Sequence, residues 1–196
     1  MNSAFGTTRE FAIPDLAGED PATDLRELME SIFDSMNRPV FHYLLSLVAN
    51  TAEAEDLTQE VFLRLCSELR AGRPIENVRP WCFKVAHNLA ASAGRRKQTE
   101  EHFRSASGEP ESYANGIVTS GIEEALVKKE QSRRVAAAMV KLSEMERQCL
   151  YLRTEGLLYR EIADILNVRI PTVQTFLARA MKKVVKELYD LSLIHI

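Results

Sequence analysis

Apolar residues recur every three to four positions through most of this chain, the period of helices that lie on a core. From Leu25 the series Leu28, Met29, Ile32, Phe33 and Met36 keeps that spacing, and Asp24 with Glu27 supplies a capping box at its start. Pro39 is predicted to break or kink the helix, and Val40, Phe41, Leu44, Leu45 and Val48 resume the pattern as a second one. Asn50 with Glu53 makes another capping box and opens a third, with Leu57, Val61, Phe62, Leu65 and Leu69 inside. After a turn-rich loop at 71–74, Asn77 caps a fourth helix that tolerates Pro80 in its first turn and runs to about Lys97. Its predicted buried stripe is Val78, Cys82, Val85, Leu89 and Ala93. Four helices over residues 24–98 therefore make a first domain.

Residues 99–121 turn to Ser, Gly, Glu, Pro and Asn, which predicts a flexible, acidic linker. A second helical domain spans 122–190, with a capping box at Ser143 and Glu146. Within it Leu157, Ile162, Ala163, Ile165 and Leu166 suit the first helix of a helix-turn-helix, residues 167–169 its turn, and Pro171 the first turn of the helix that follows. No segment alternates as a strand does, so the fold class is all-α: two small helical domains joined by a linker. Residues 1–23 lack any period and read as a mobile arm. Residues 191–196 continue no helical face and read as a non-native tail outside the fold.

Composition narrows the functional classes. The 196 residues are 45% hydrophobic and 27% charged with a net charge of −3, so nucleic-acid contact must come from local patches rather than from the molecule as a whole. No apolar run is long enough to span a membrane and no secretion signal is evident, which points to the cytosol. Cys66, Cys82 and Cys149 are odd in number and lie among apolar neighbours, as reduced thiols in helix cores do. No metal-ligand spacing, phosphate loop, nucleophile elbow or convergent carboxylate pair is present, so neither an enzyme nor a cofactor is expected.

Two faces carry candidate chemistry. At 100° per residue, Val173, Leu177, Ala180, Met181 and Val184 fall on one side of the last helix and Thr172, Thr175, Arg179, Lys182 and Lys186 on the other. The first side packs; the second suits base edges through Thr172, Thr175 and Arg179 and phosphates through Lys182, Lys183 and Lys186. On the fourth helix Lys84, His87, Asn88 and Arg95 gather on a separate face, where the cations neutralise phosphates and Asn88 offers both donor and acceptor to an unstacked base. Trp81 sits at the border of the apolar stripe and suits core packing and base stacking equally. His87 is a surface histidine without a chemical partner on one reading and a phosphate donor on the other.

The blocks AEDLTQEVFLRL (54–65), WCFKVAHNL (81–89) and Arg95-Arg96-Lys97, followed by the helix-turn-helix, resemble bacterial RNA polymerase sigma factors of the extracytoplasmic-function group. The resemblance covers about residues 25–98 and 123–188 in the family's order. It implies a dissociable, non-catalytic subunit that binds core RNA polymerase and directs it to promoter DNA. By resemblance Asp56, Gln59 and Glu60 contact the polymerase clamp. Trp81, Lys84, His87, Asn88, Arg95 and Arg96 engage the −10 element. Pro171, Thr172, Gln174, Thr175, Arg179, Lys182, Lys183 and Lys186 engage the −35 element. An anti-sigma factor is a further implied partner, and direct membrane insertion is not. Gln174 and Phe176 stand where the family often has basic residues, Ser92 where it often has an acid, and Ile170 lacks the hydroxyl that often caps the recognition helix, about 1 kcal/mol of stabilisation. The second domain alone also suits a helix-turn-helix regulator that binds an operator without polymerase.

Overall fold

The computed structural model describes residues 21–103 and 138–190, and for 21, 22, 24, 96–103 and 188–190 their backbone alone. The expected arm before residue 21, the linker from 104 onward, the start of the second domain at 122–137 and the tail at 191–196 lie outside the described residues. The chain divides into two compact units, residues 1–109 and 110–196.

The first unit holds α1 (Pro21–Val48), α2 (Thr51–Arg70) and α3 (Val78–Phe103), each packed on the other two. This is one helix fewer than the sequence pattern predicts, because α1 runs through Pro39 unbroken. An interior proline removes one backbone hydrogen bond and costs about 3 kcal/mol. Against that, Ile32, Met36, Val40, Tyr43 and Leu44 are all fully buried and share one helical face across the proline. Each such side chain contributes roughly 1.5–3 kcal/mol, so the continuous face outweighs the break. The helix also starts at Pro21, a residue favoured in a first turn, so Asp24 lies inside it rather than capping it.

Asn50 caps α2 as predicted, its Oδ1 accepting from the Glu53 N–H at 2.9 Å. The α3 start also follows expectation, with the Arg79 N–H donating to Asn77 Oδ1 at 3.2 Å. At the other end α3 extends to Phe103, past the predicted limit near Lys97 and into the expected linker. Its buried face is Val78, Cys82, Phe83, Ala86 and Ala90. Val85, Leu89 and Ala93, predicted inside, are half-buried.

The second unit contains α4 (Glu144–Thr154), α5 (Tyr159–Ile165) and α6 (Ile170–Asp190), again in mutual contact. Its core is built from Leu142, Cys149, Leu152, Leu157, Ile162, Ile165, Val173, Leu177 and Ala180. Ser143 and Glu146 form the predicted capping box at α4. The helices α2, α4 and α5 end in the same way: the residue past the cap turns left-handed, and two N–H groups fold back onto the last free carbonyls. Gly72 (φ 67) and Gly156 (φ 86) take that position without a Cβ penalty, and Asn167 (φ 52) takes it between α5 and α6. There the Val168 N–H reaches the Ala163 carbonyl at 2.9 Å. That bond sets the sharp turn of the helix-turn-helix.

Candidate nucleic-acid interface

Helix α6 is divided lengthwise. Val173, Leu177 and Ala180 are buried against α4 and α5, while Pro171, Gln174, Thr175, Arg179, Lys182 and Lys186 are exposed and Thr172 is half-buried. Pro171, Thr172, Thr175, Phe176 and Arg179 line a surface hollow of about 310 Å³. The Thr175 hydroxyl donates to the Pro171 carbonyl at 2.9 Å, which leaves its oxygen to act outward as an acceptor.

Three expectations for α6 change. Lys183 does not join the outward cations: its Nζ lies 2.6 Å from Oε2 of Glu146, a residue of α4 whose side chain is only 5% exposed. Glu146 also accepts from the Ser143 N–H at 2.8 Å. The Lys183 bond first, and the Ser143 backbone bond second, hold its carboxyl below the usual glutamate range. Met181 is 50% exposed rather than buried, since it lies about 40° past Leu177 around the helix and beyond the cover of α4 and α5. Finally, the first α6 hydrogen bond runs from the Val173 N–H to the Arg169 carbonyl, so the cap falls at Arg169 and Ile170 is already helical.

Met181, which the helical period assigns to the packed side, is exposed beside Val185 and Ile170, which it assigns to neither side, and the three form an apolar edge on α6. Its signal is the spacing Ile170, Gln174, Ala178, Met181, Val185, which falls within about 80° of arc.

On α3 the structure brings Lys84, Asn88 and Arg95 onto one face. Asn88 and Arg95 are exposed and Lys84 is half-buried. Ser92 ties them together: its hydroxyl donates to the Asn88 carbonyl at 2.8 Å and accepts from Arg95 Nη2 at 3.0 Å. Trp81 is half-buried at the border. Arg96 is on the helix, with its side chain outside the described residues. His87 has a chemical partner, contrary to one of its two readings: its Nδ1 is 3.1 Å from the hydroxyl of buried Tyr43. That contact spans α1 and α3, which periodicity along one helix cannot reveal.

On α2, Asp56 and Gln59 are exposed, while Glu60 is half-buried and pairs with Arg64 at 2.7 Å. Leu63, 66% exposed, shares this edge at the i+7 position from Asp56. The helical period leaves it off the buried stripe, and a single outward leucine is by itself no contact signal.

The thiols are built for packing. Burial pushes the Cys82 thiol up to about 12 and the Cys149 thiol up to about 11.

Two family models match the chain: Sigma-70 region 2 over residues 32–100, and Sigma-70, region 4 over residues 132–184. The first includes most of α1 to α3 and the second α4, α5 and most of α6. The chain is 26% identical over 171 residues to the ECF RNA polymerase sigma factor SigW of Bacillus subtilis, covering 85% of this chain and 91% of that protein. It is 30% identical over 148 residues to the ECF RNA polymerase sigma factor EcfG of Rhodopseudomonas palustris, covering 75% and 77%. Among solved structures, the sigma factor RpoE of Bartonella quintana in complex with the anti-sigma factor NepR superposes with a TM-score of 0.62 at 19% identity, covering 82% of this chain and 96% of that one. CnrH in complex with the cytosolic domain of CnrY gives a TM-score of 0.51 at 16% identity, covering 84% and 90%.

Proposed function

The chain belongs to the extracytoplasmic-function group of RNA polymerase sigma factors, which direct the polymerase to promoters, and from this we infer how its three exposed faces divide that work. The outward face of α6, led by Thr172, Gln174, Thr175 and Arg179 behind Pro171, reads the −35 element in the major groove, with Lys182 and Lys186 on flanking phosphates. The face of α3 carrying Lys84, Asn88, Arg95 and Arg96, bordered by Trp81 and His87, engages the −10 element. The α2 edge of Asp56, Gln59 and Glu60, with Leu63 added, docks on the core enzyme. Lys183 is withdrawn from the DNA set and acts as an internal tie.

The observation that carries this reading is the division of α6, where apolar residues face α4 and α5 and the polar and basic ones are left outside. A helix with purely structural duties does not need three separate outward positions at Arg179, Lys182 and Lys186. An anti-sigma factor is a further expected partner, as the structural neighbour RpoE has in NepR, and the exposed apolar edge of Ile170, Met181 and Val185 is a candidate surface for it. Work on promoter DNA puts the protein in the cytoplasm, and no helix among the described residues is long and apolar enough to cross a membrane.

Transcription with purified core enzyme, followed by mapping of start sites, tests the reading. Starts preceded by two shared sequence blocks at fixed spacing are expected. Initiation no more specific than that of core enzyme alone contradicts it.

A further inference from the structure

Phe176 lies between the two sides of α6. It is half-buried, about 60° around the helix from buried Val173, about 40° from Thr172 and about 60° from exposed Arg179. Thr172, Thr175, Phe176 and Arg179 stand at i, i+3, i+4 and i+7, the spacing of neighbours on one helical face. With Pro171 they line the surface hollow of about 310 Å³. The Phe176 ring is therefore part of an open wall, where a ring present only to pack would lie with Val173, Leu177 and Ala180.

The polar groups around that ring leave it room. The Thr175 hydroxyl spends its hydrogen on the Pro171 carbonyl at 2.9 Å. Lys183, seven residues after Phe176 and in line with it, has its amine 2.6 Å from Glu146 Oε2. Arg179 is the cation in the lining, and Phe176 and Pro171 are its apolar residues. Base pairs present hydrogen-bond donors and acceptors to the major groove, and the 5-methyl of thymine is the apolar group among them. A phenyl ring pressed on a donor or acceptor removes its water and returns no hydrogen bond, whereas against a methyl group it gains by burial.

We propose that Phe176 is a specificity-determining residue: its ring, in the hollow beside Arg179, receives the 5-methyl group of a thymine in the −35 element. The proposal rests on α6 being the −35 reader, and it gives a task to an aromatic side chain that the two-sided division of α6 leaves over.

The test uses the full chain bound to core polymerase on a promoter fragment chosen from the mapped starts. Each thymine of the −35 block, on either strand, is replaced in turn by deoxyuridine, which removes the methyl group and keeps the pairing. At one position the replacement is expected to weaken wild-type binding about fourfold, the worth of one buried methyl group. Phe176→Ala is expected to bind the unmodified fragment more weakly than wild type and to be indifferent to the methyl group at that position. No sensitive position for the wild type, or full sensitivity retained by Phe176→Ala, overturns the proposal. Should Phe176→Ala fail to fold, the wild-type complex with 5-bromouracil at the sensitive position decides: irradiation that cross-links the DNA to the α6 peptide containing Phe176 supports the proposal, and cross-linking elsewhere overturns it. Wild-type binding that is unchanged when the whole −35 block is exchanged for unrelated sequence overturns instead the reading of α6 on which this one rests.

Discussion

Lys182 and Lys183 are neighbours on α6 with different tasks, and the difference is measurable. Lys182 is exposed, so Lys182→Ala is expected to weaken promoter binding evenly across sequences and to flatten the dependence of log affinity on log salt by about 0.9. Lys183 neutralises buried Glu146, so Lys183→Ala is expected to cost stability instead, about 1–3 kcal/mol once the 42% exposure of the lysine is allowed for. A fall in the unfolding midpoint of the second unit reads this out. Arg179→Ala belongs to a third kind: discrimination at one base pair of the −35 element drops by about 1–3 kcal/mol if the guanidinium makes a bidentate contact, seen as relaxed preference in a promoter library. A list of cations on a helix separates Arg179 from Lys182 by their place on the outward face, but it cannot separate Lys182 from Lys183. That distinction depends on a glutamate 37 residues away, and no periodicity along α6 encodes it.

At the scale of elements, the depressed Glu146 carboxyl couples α4 to α6 through pH. A carboxyl whose folded pKa lies below its unfolded value binds fewer protons when folded, so its stabilisation is complete above the unfolded value and is lost as pH falls through the folded one. The thermal stability of the second unit is therefore expected to fall on acidification below about pH 4.5, and Glu146→Gln to blunt that slope while lowering stability at neutral pH. A slope unaltered by the substitution would assign the acid sensitivity to other carboxylates. The helix-turn-helix was the most legible element, since the Ser143 cap, the turn at 167–169 and the opposed faces of α6 are all local. Less legible was α3, where two apolar lines run side by side. Val85 and Leu89 matched the helical period as well as Phe83 and Ala86 did, and only packing against α1 and α2 selects the second pair. At Pro39 a local rule pointed the wrong way, because the buried face on either side of it stays in register and overrides the proline.

For the whole molecule, the proposed reading gives each of the two units a modest DNA surface, and a net charge of −3 gives neither a general affinity for polyanions. Once one unit is docked, the other acts at the effective concentration set by their connection, and specificity emerges from the pair. The same economy shows in the cysteines. With their thiols pushed up to about 12 and about 11, Cys82 and Cys149 are expected to resist alkylation until the protein unfolds, while half-buried Cys66 reacts first, as peptide mapping after brief iodoacetamide treatment would show. The central claim is that core polymerase turns two weak DNA surfaces into one promoter reader, and footprinting a mapped promoter with the chain alone, core enzyme alone and both together tests it most directly. Protection at both elements only when the two are combined is the predicted result; tight, sequence-specific protection by the chain alone would contradict it.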